Sequence, residues 1–161
     1  MLFRSFITIY GCIIYVVILP FMLWRLFNIE IKNAAYHTMA VLLAPCSLCV
    51  VSLINVNVQN NGIVLKFMYV CVLLSLAFIL YKLPDFFSFD FYPGFAGLTF
   101  PMAIGVVASQ KMAGFLTESG KEALGNAVTQ LAGLQIFVTT MLVGYVMLMF
   151  LRMLLKKQKR G

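Results

Sequence analysis

Phe95–Met112 reads FAGLTFPMAIGVVASQKM, an apolar run crowded with Gly, Ala, Ser and Thr and interrupted by Pro101. A run of roughly this length is a candidate membrane span. Its small side chains let another group approach the backbone closely, so this segment is also the first place to look for function.

Apolar blocks of similar length lie to either side. Together they predict five helices at about 6–27, 36–55, 63–81, 94–112 and 119–155 in a single transmembrane domain covering 1–161. Each block reaches the ~20 residues that cross a hydrocarbon core. Hydrophobic residues make up 63% of the chain and charged ones 11%, values far from those of a soluble domain. Lipid-facing backbone must satisfy its own hydrogen bonds, and the blocks lack the alternation of a barrel strand, so the fold class expected is all-α integral membrane. The first block is read as a helix rather than a cleaved signal. It is longer than a signal core and ends in Trp24, Arg25 and Leu26 instead of a small-residue cleavage site.

The cations suggest an orientation. With the C-terminus on one side, that side holds Arg25, Lys32, Lys82, Arg152, Lys156, Lys157, Lys159 and Arg160; the other holds Arg4, Lys66, Lys111 and Lys121. The richer side is expected to be cytoplasmic, leaving the N-terminus outside, in a multi-pass protein of the cell membrane. Trp24, Tyr36, Tyr81 and Tyr92 fall at the same boundary, as an aromatic belt would. A first span beginning almost at Met1 with its end outside is what a shortened or split gene would give. The net charge of +7 comes largely from the tail after the last span. Such a cluster sets orientation and touches anionic lipid, so the expected partner is the bilayer and not nucleic acid.

No enzyme constellation emerges. Glu30, Asp85, Asp90, Glu118 and Glu122 all lie in loops or at helix ends, whereas acid and base catalysis needs groups converging in a protected site. Cys46 and Cys49 form a CSLC pair inside the second block, and Cys12 and Cys71 lie in other blocks. With no further ligand at metal spacing, all four are read as buried apolar thiols, with no metal and no cofactor expected. His37 is read as an interfacial polar residue at the mouth of the second block.

Residue size separates the blocks. The second carries Ala40, Ala44, Pro45, Cys46, Ser47, Cys49 and Ser52; the fourth carries Gly94, Ala96, Gly97, Thr99, Pro101, Ala103, Gly105, Ala108 and Ser109. The third and the lower part of the fifth are bulky nearly all round. Bulky helices can face lipid, while small and polar ones face protein or a water-filled path, so the second and fourth are expected inside and the others outside. Pro45 and Pro101 are expected to kink the inner pair. Ser119 and Glu122 match a capping box, which predicts that the fifth helix begins near Ser119. Gln135 and Thr139, one turn apart, are positioned to bond a neighbouring helix.

The stretch Gly94–Ala108, with aromatics before it and Thr99-Phe100-Pro101 at its centre, resembles the ninth helix of the tellurite-resistance/dicarboxylate transporter family, which includes the plant slow anion channels. HTMAVLLAPCSLCVVSLINV, from His37 to Val56, resembles the seventh helix of that family. The resemblance implies the second half of a ten-helix protein in which five hairpins ring a pore, odd helices lining it and even ones outside. It also implies passage of small anions or C4-dicarboxylates such as malate, with a phenylalanine gate matched by Phe100. A phenyl ring in a narrow uncharged path blocks by volume and by excluding water. Ala96, Ala103, Ile104 and Val107 share its helical face, and with Ala44 and Ser47 they are the expected pore-lining residues. Neither inner block offers an interior Lys or Arg. Discrimination would then come from backbone amides freed near the prolines, from pore width, or from a missing half. Five helices cannot close a five-hairpin ring, so the expected partner is an N-terminal half or another copy of the chain. The competing reading is a non-conducting accessory or assembly subunit whose small-residue faces bind partner helices.

Overall fold

A computed structural model of the chain describes residues 2–28, 42–56, 62–88 and 93–158. Among these residues the fold is entirely helical, with five α-helices: α1 (Leu2–Asn28), α2 (Leu43–Asn55), α3 (Gly62–Ser88), α4 (Ala96–Glu118) and α5 (Glu122–Gln158). A short 3-10 turn, Pro93–Phe95, leads into α4. Three helices are long and apolar enough to cross a membrane, within Ser5–Arg25, Gly62–Pro84 and Glu122–Lys156.

The other two expected spans differ from that pattern. α2 is described over 13 residues, about 20 Å at ~1.5 Å per residue and short of a hydrocarbon core. The beginning of the expected second span, with Tyr36 and His37, lies outside the described residues. α4 has 23 residues, but Gln110, Lys111 and its glycines and serine dilute its apolar character. Several ends also run further than expected. α1 starts at Leu2, α3 continues to Ser88, and α4 continues to Glu118.

The end of α4 shows why Ser119 does not open α5. Its hydroxyl donates back to the Phe115 carbonyl at 2.7 Å. Gly120 then adopts φ +75°, its N–H bonds Thr117 O, and the Lys121 N–H bonds Leu116 O. This pair of bonds around a left-handed glycine is a Schellman closure, which satisfies carbonyls left open at a helix C-terminus. Ser119 therefore finishes α4, and α5 begins at Glu122. Only Ser119, Gly120 and Lys121 separate the two helices, so they form an antiparallel hairpin. At its closed end Gly125 presses onto α4, where a Cβ would clash with Thr117 Oγ1.

α2 and α4 form the middle of the bundle. α2 touches α1, α3 and α4, and α4 touches α2, α3 and α5, while α1 rests chiefly on α2 and α5 on α4. Gly105 permits the central contact, since a Cβ there would lie 3.2 Å from Leu43 Cδ2. Small residues at such crossings let helices approach closely enough for dispersion to hold them. The core around this contact includes Leu43, Val50, Leu98, Met102 and Ala108, with Met68 and Val72 of α3 behind them.

The prolines act differently from the expected matched pair. Pro45 is the third residue of α2, in the first turn, where an N–H has no acceptor within the helix. It starts α2 instead of kinking it. Pro101 does lie inside α4, but so do Pro20 inside α1 and Pro84 inside α3, so an interior proline does not distinguish inner helices.

Candidate functional site

α3 lies against one side of both central helices. Tyr69 donates to Ser109 Oγ at 3.3 Å across the α3–α4 contact, and the Cys46 thiol reaches Ser75 Oγ at 4.0 Å across α2–α3. About half a turn round each helix from these contacts, at ~100° per residue, are side chains that nothing covers. On α2 they are Leu48 and Asn55, with Pro45 and Ser52 half-buried beside them. On α4 they are Ala96, Phe100, Ala103 and Val107, spaced to fall in one row. Each row lies on the side of its own helix turned away from its contact with α3.

The sequence-predicted site residues divide at this point. Phe100 is 57% exposed, and Ala96, Ala103 and Val107 share its side, with Ile104 half-buried at the margin. Ala44 and Ser47 do not join them. Both are buried within the bundle, and Ser47 donates its hydroxyl to Leu43 O at 2.8 Å. Ala44 and Ser47 pack the interior because α2 turns these positions toward its neighbours. Leu48 occupies the exposed position on α2, with Ser52 half-buried beside it, an exchange that only the helix's rotation within the bundle reveals.

The chemistry available on this side is apolar and acceptor-rich. Pro101 has no N–H to offer the carbonyl four residues back, so the group released is the oxygen of Gly97. That corrects the expectation of freed amides, since a carbonyl attracts cations and hydrogen-bond donors. The Thr99 hydroxyl is occupied, donating to Ala96 O at 2.7 Å. Higher on α4, Gln110 and Lys111 are exposed, and Lys111 is the cation placed on the Phe100 side of this helix.

Two polar features lie away from that side. Gln135 (3% exposed) and Thr139 (8%) of α5 are buried, and neither the amide atoms nor the hydroxyl has a hydrogen-bond partner. They face inward as expected without making the expected bond. The cysteines are all free thiols, Cys12 and Cys46 buried and Cys49 and Cys71 half-buried. Among the described residues no group of three or more His, Cys, Asp or Glu side chains is arranged to hold a metal ion.

Among the described residues the fold and site define an all-helical protein with three apolar helices of membrane-spanning length, packed against α2 and α4. No family model, no curated protein and no solved structure matches the chain.

Proposed function

We propose that this chain is an integral membrane protein that supplies part of the wall of a path for small anions or C4-dicarboxylates, with Phe100 as its gate. One observation carries the reading: the central helices α2 and α4 each leave a side uncovered, and on that of α4 a single large ring stands in a row of Ala96, Ala103 and Val107. A row of small residues leaves room for a solute once the ring swings aside, and the ring in place excludes water. The same uncovered side requires completion, by an N-terminal half or by a second copy of the chain. Anion attraction does not come from Pro101, which frees an acceptor, but from Lys111 at the outer end of the row and from the completing chain.

The test is electrical. Phe100→Ala in the completed protein, reconstituted in vesicles, is expected to raise chloride, nitrate or malate flux at least several-fold, with Phe100→Trp remaining closed. Equal flux in all three proteins removes the gate and favours the accessory-subunit reading, in which this side binds partner helices and conducts nothing.

A further inference from the structure

We propose that the groove between α4 and α5 is a binding site for a primary alkylammonium, with its head on Glu118 and its tail along the two helices. The groove has a volume of about 530 Å³, within the range that takes a small organic molecule. It lies at the closed end of the hairpin, and its occupancy does not depend on the passage of an anion.

The walls set the shape of the occupant. Ala113 of α4 and Ala132 of α5 are buried and line it from below, with Gly114 and Gly133 beside them. A Cβ built at either glycine would stand in open space, so the opening comes from the missing side chains. From Gln110 to Glu118 the groove follows two turns of α4, about 12 Å at ~1.5 Å per residue. With Ile136 also in its lining, this slot suits an extended hydrocarbon chain.

The acceptors set the head group. Thr117 donates its hydroxyl to Ala113 O at 3.0 Å, and Thr129 donates to Gly125 O at 2.9 Å. With their hydrogens so placed, both present oxygen lone pairs alone to the groove. Among the described residues Glu118 is the charged side chain that lines it. Glu118 is also the last residue of α4, and the final turn of that helix carries no basic side chain. A helix C-terminus holds a partial negative charge that a cation ordinarily matches. Here a carboxylate adds to it, and the matching charge has to come from a ligand. An ammonium brings one positive charge and three N–H donors to these acceptors, whereas an anion would be repelled.

Octylammonium is the probe, titrated into the full chain in phosphatidylcholine nanodiscs, with empty nanodiscs correcting for partition into lipid. One molecule per chain should bind saturably. Loss of a charge-assisted bond should make Glu118→Gln weaken binding about tenfold, with Glu118→Asp retaining most of it. Gly133→Leu fills open space without a clash, so it should keep the helicity of the unaltered chain and still weaken binding. Glu122→Gln, which changes an acid that does not line the groove, should bind as the unaltered chain does. Binding no greater than to empty nanodiscs, equally tight binding of octyl sulfate, undiminished binding by Glu118→Gln, or equal losses in Glu118→Gln and Glu122→Gln would each overturn the proposal.

Discussion

Gln135 and Thr139 are buried against α4 with every side-chain polar atom unpartnered, at positions where leucine and valine would fit the same space. An unsatisfied buried group costs on the order of 1–3 kcal/mol, and replacing it with an apolar group of similar shape removes that cost. Gln135→Leu is accordingly expected to stabilise the protein by about 1 kcal/mol in detergent, read from the unfolding midpoint, with Thr139→Val doing the same to a smaller degree. A loss of stability in both variants would show that a bound water satisfies these groups. The pair was legible in the sequence as two polar residues one helical turn apart. Their lack of a bond was not, because it depends on which groups of α4 lie opposite. The exposed Phe100 stood out by the same kind of local pattern, a large ring among small residues before a proline, and its role as a gate is the proposal above. Ala44 and Ser47 show where such reasoning stops, since spacing tells which residues share a face but not which way that face turns.

At the scale of elements, the α4–α5 hairpin rests on two glycines with different duties. Gly120 supplies a left-handed backbone, where a side chain costs roughly 1 kcal/mol. Gly125 supplies room, its missing Cβ leaving space that Thr117 Oγ1 fills. Overpacking of this kind costs about 1–3 kcal/mol, so Gly125→Ala is expected to lower the unfolding midpoint clearly. Thr117→Ala removes the obstructing oxygen, and the double variant should recover most of the loss. Additive effects in that cycle would mean the contact does not exist, because independence is the mark of residues that do not touch. The existence of the helices follows from their long apolar blocks, and α1, α3 and α5 were legible at once. Their ends were harder to read. Ser is favoured both before a helix and in turns after one, and only the Gly120 that follows Ser119 distinguishes the two roles. Pro45 shows the same dependence, since its effect on a helix reverses between the interior and the first turn.

For the whole molecule, the central placement of α2 and α4 follows from residue size. Gly105 against Leu43 lets two slender helices meet, and the bulkier α1, α3 and α5 pack behind and beside them. One side of α4 stays open. If another chain closes it, a cysteine introduced at Ala103 in a cysteine-free background should be shielded from a lipid-soluble maleimide once the protein is assembled, whereas one at Val17 on α1 should react throughout. Equal labelling at both positions would place the open side against lipid and remove the path. Orientation in the membrane rests on charge alone. Eight of the twelve Lys and Arg residues lie on the expected cytoplasmic side and four on the other. Lys156, Lys157, Lys159 and Arg160 supply half of the eight, so changing all four to Gln leaves four against four. Because the basic excess near the spans sets the direction of insertion, this variant should insert in both directions. A C-terminal tag reports the outcome, protected from external protease in sealed cells for the unaltered chain and cleaved in a substantial fraction for the variant. Retained protection would mean that the apolar blocks, and not the tail, direct insertion.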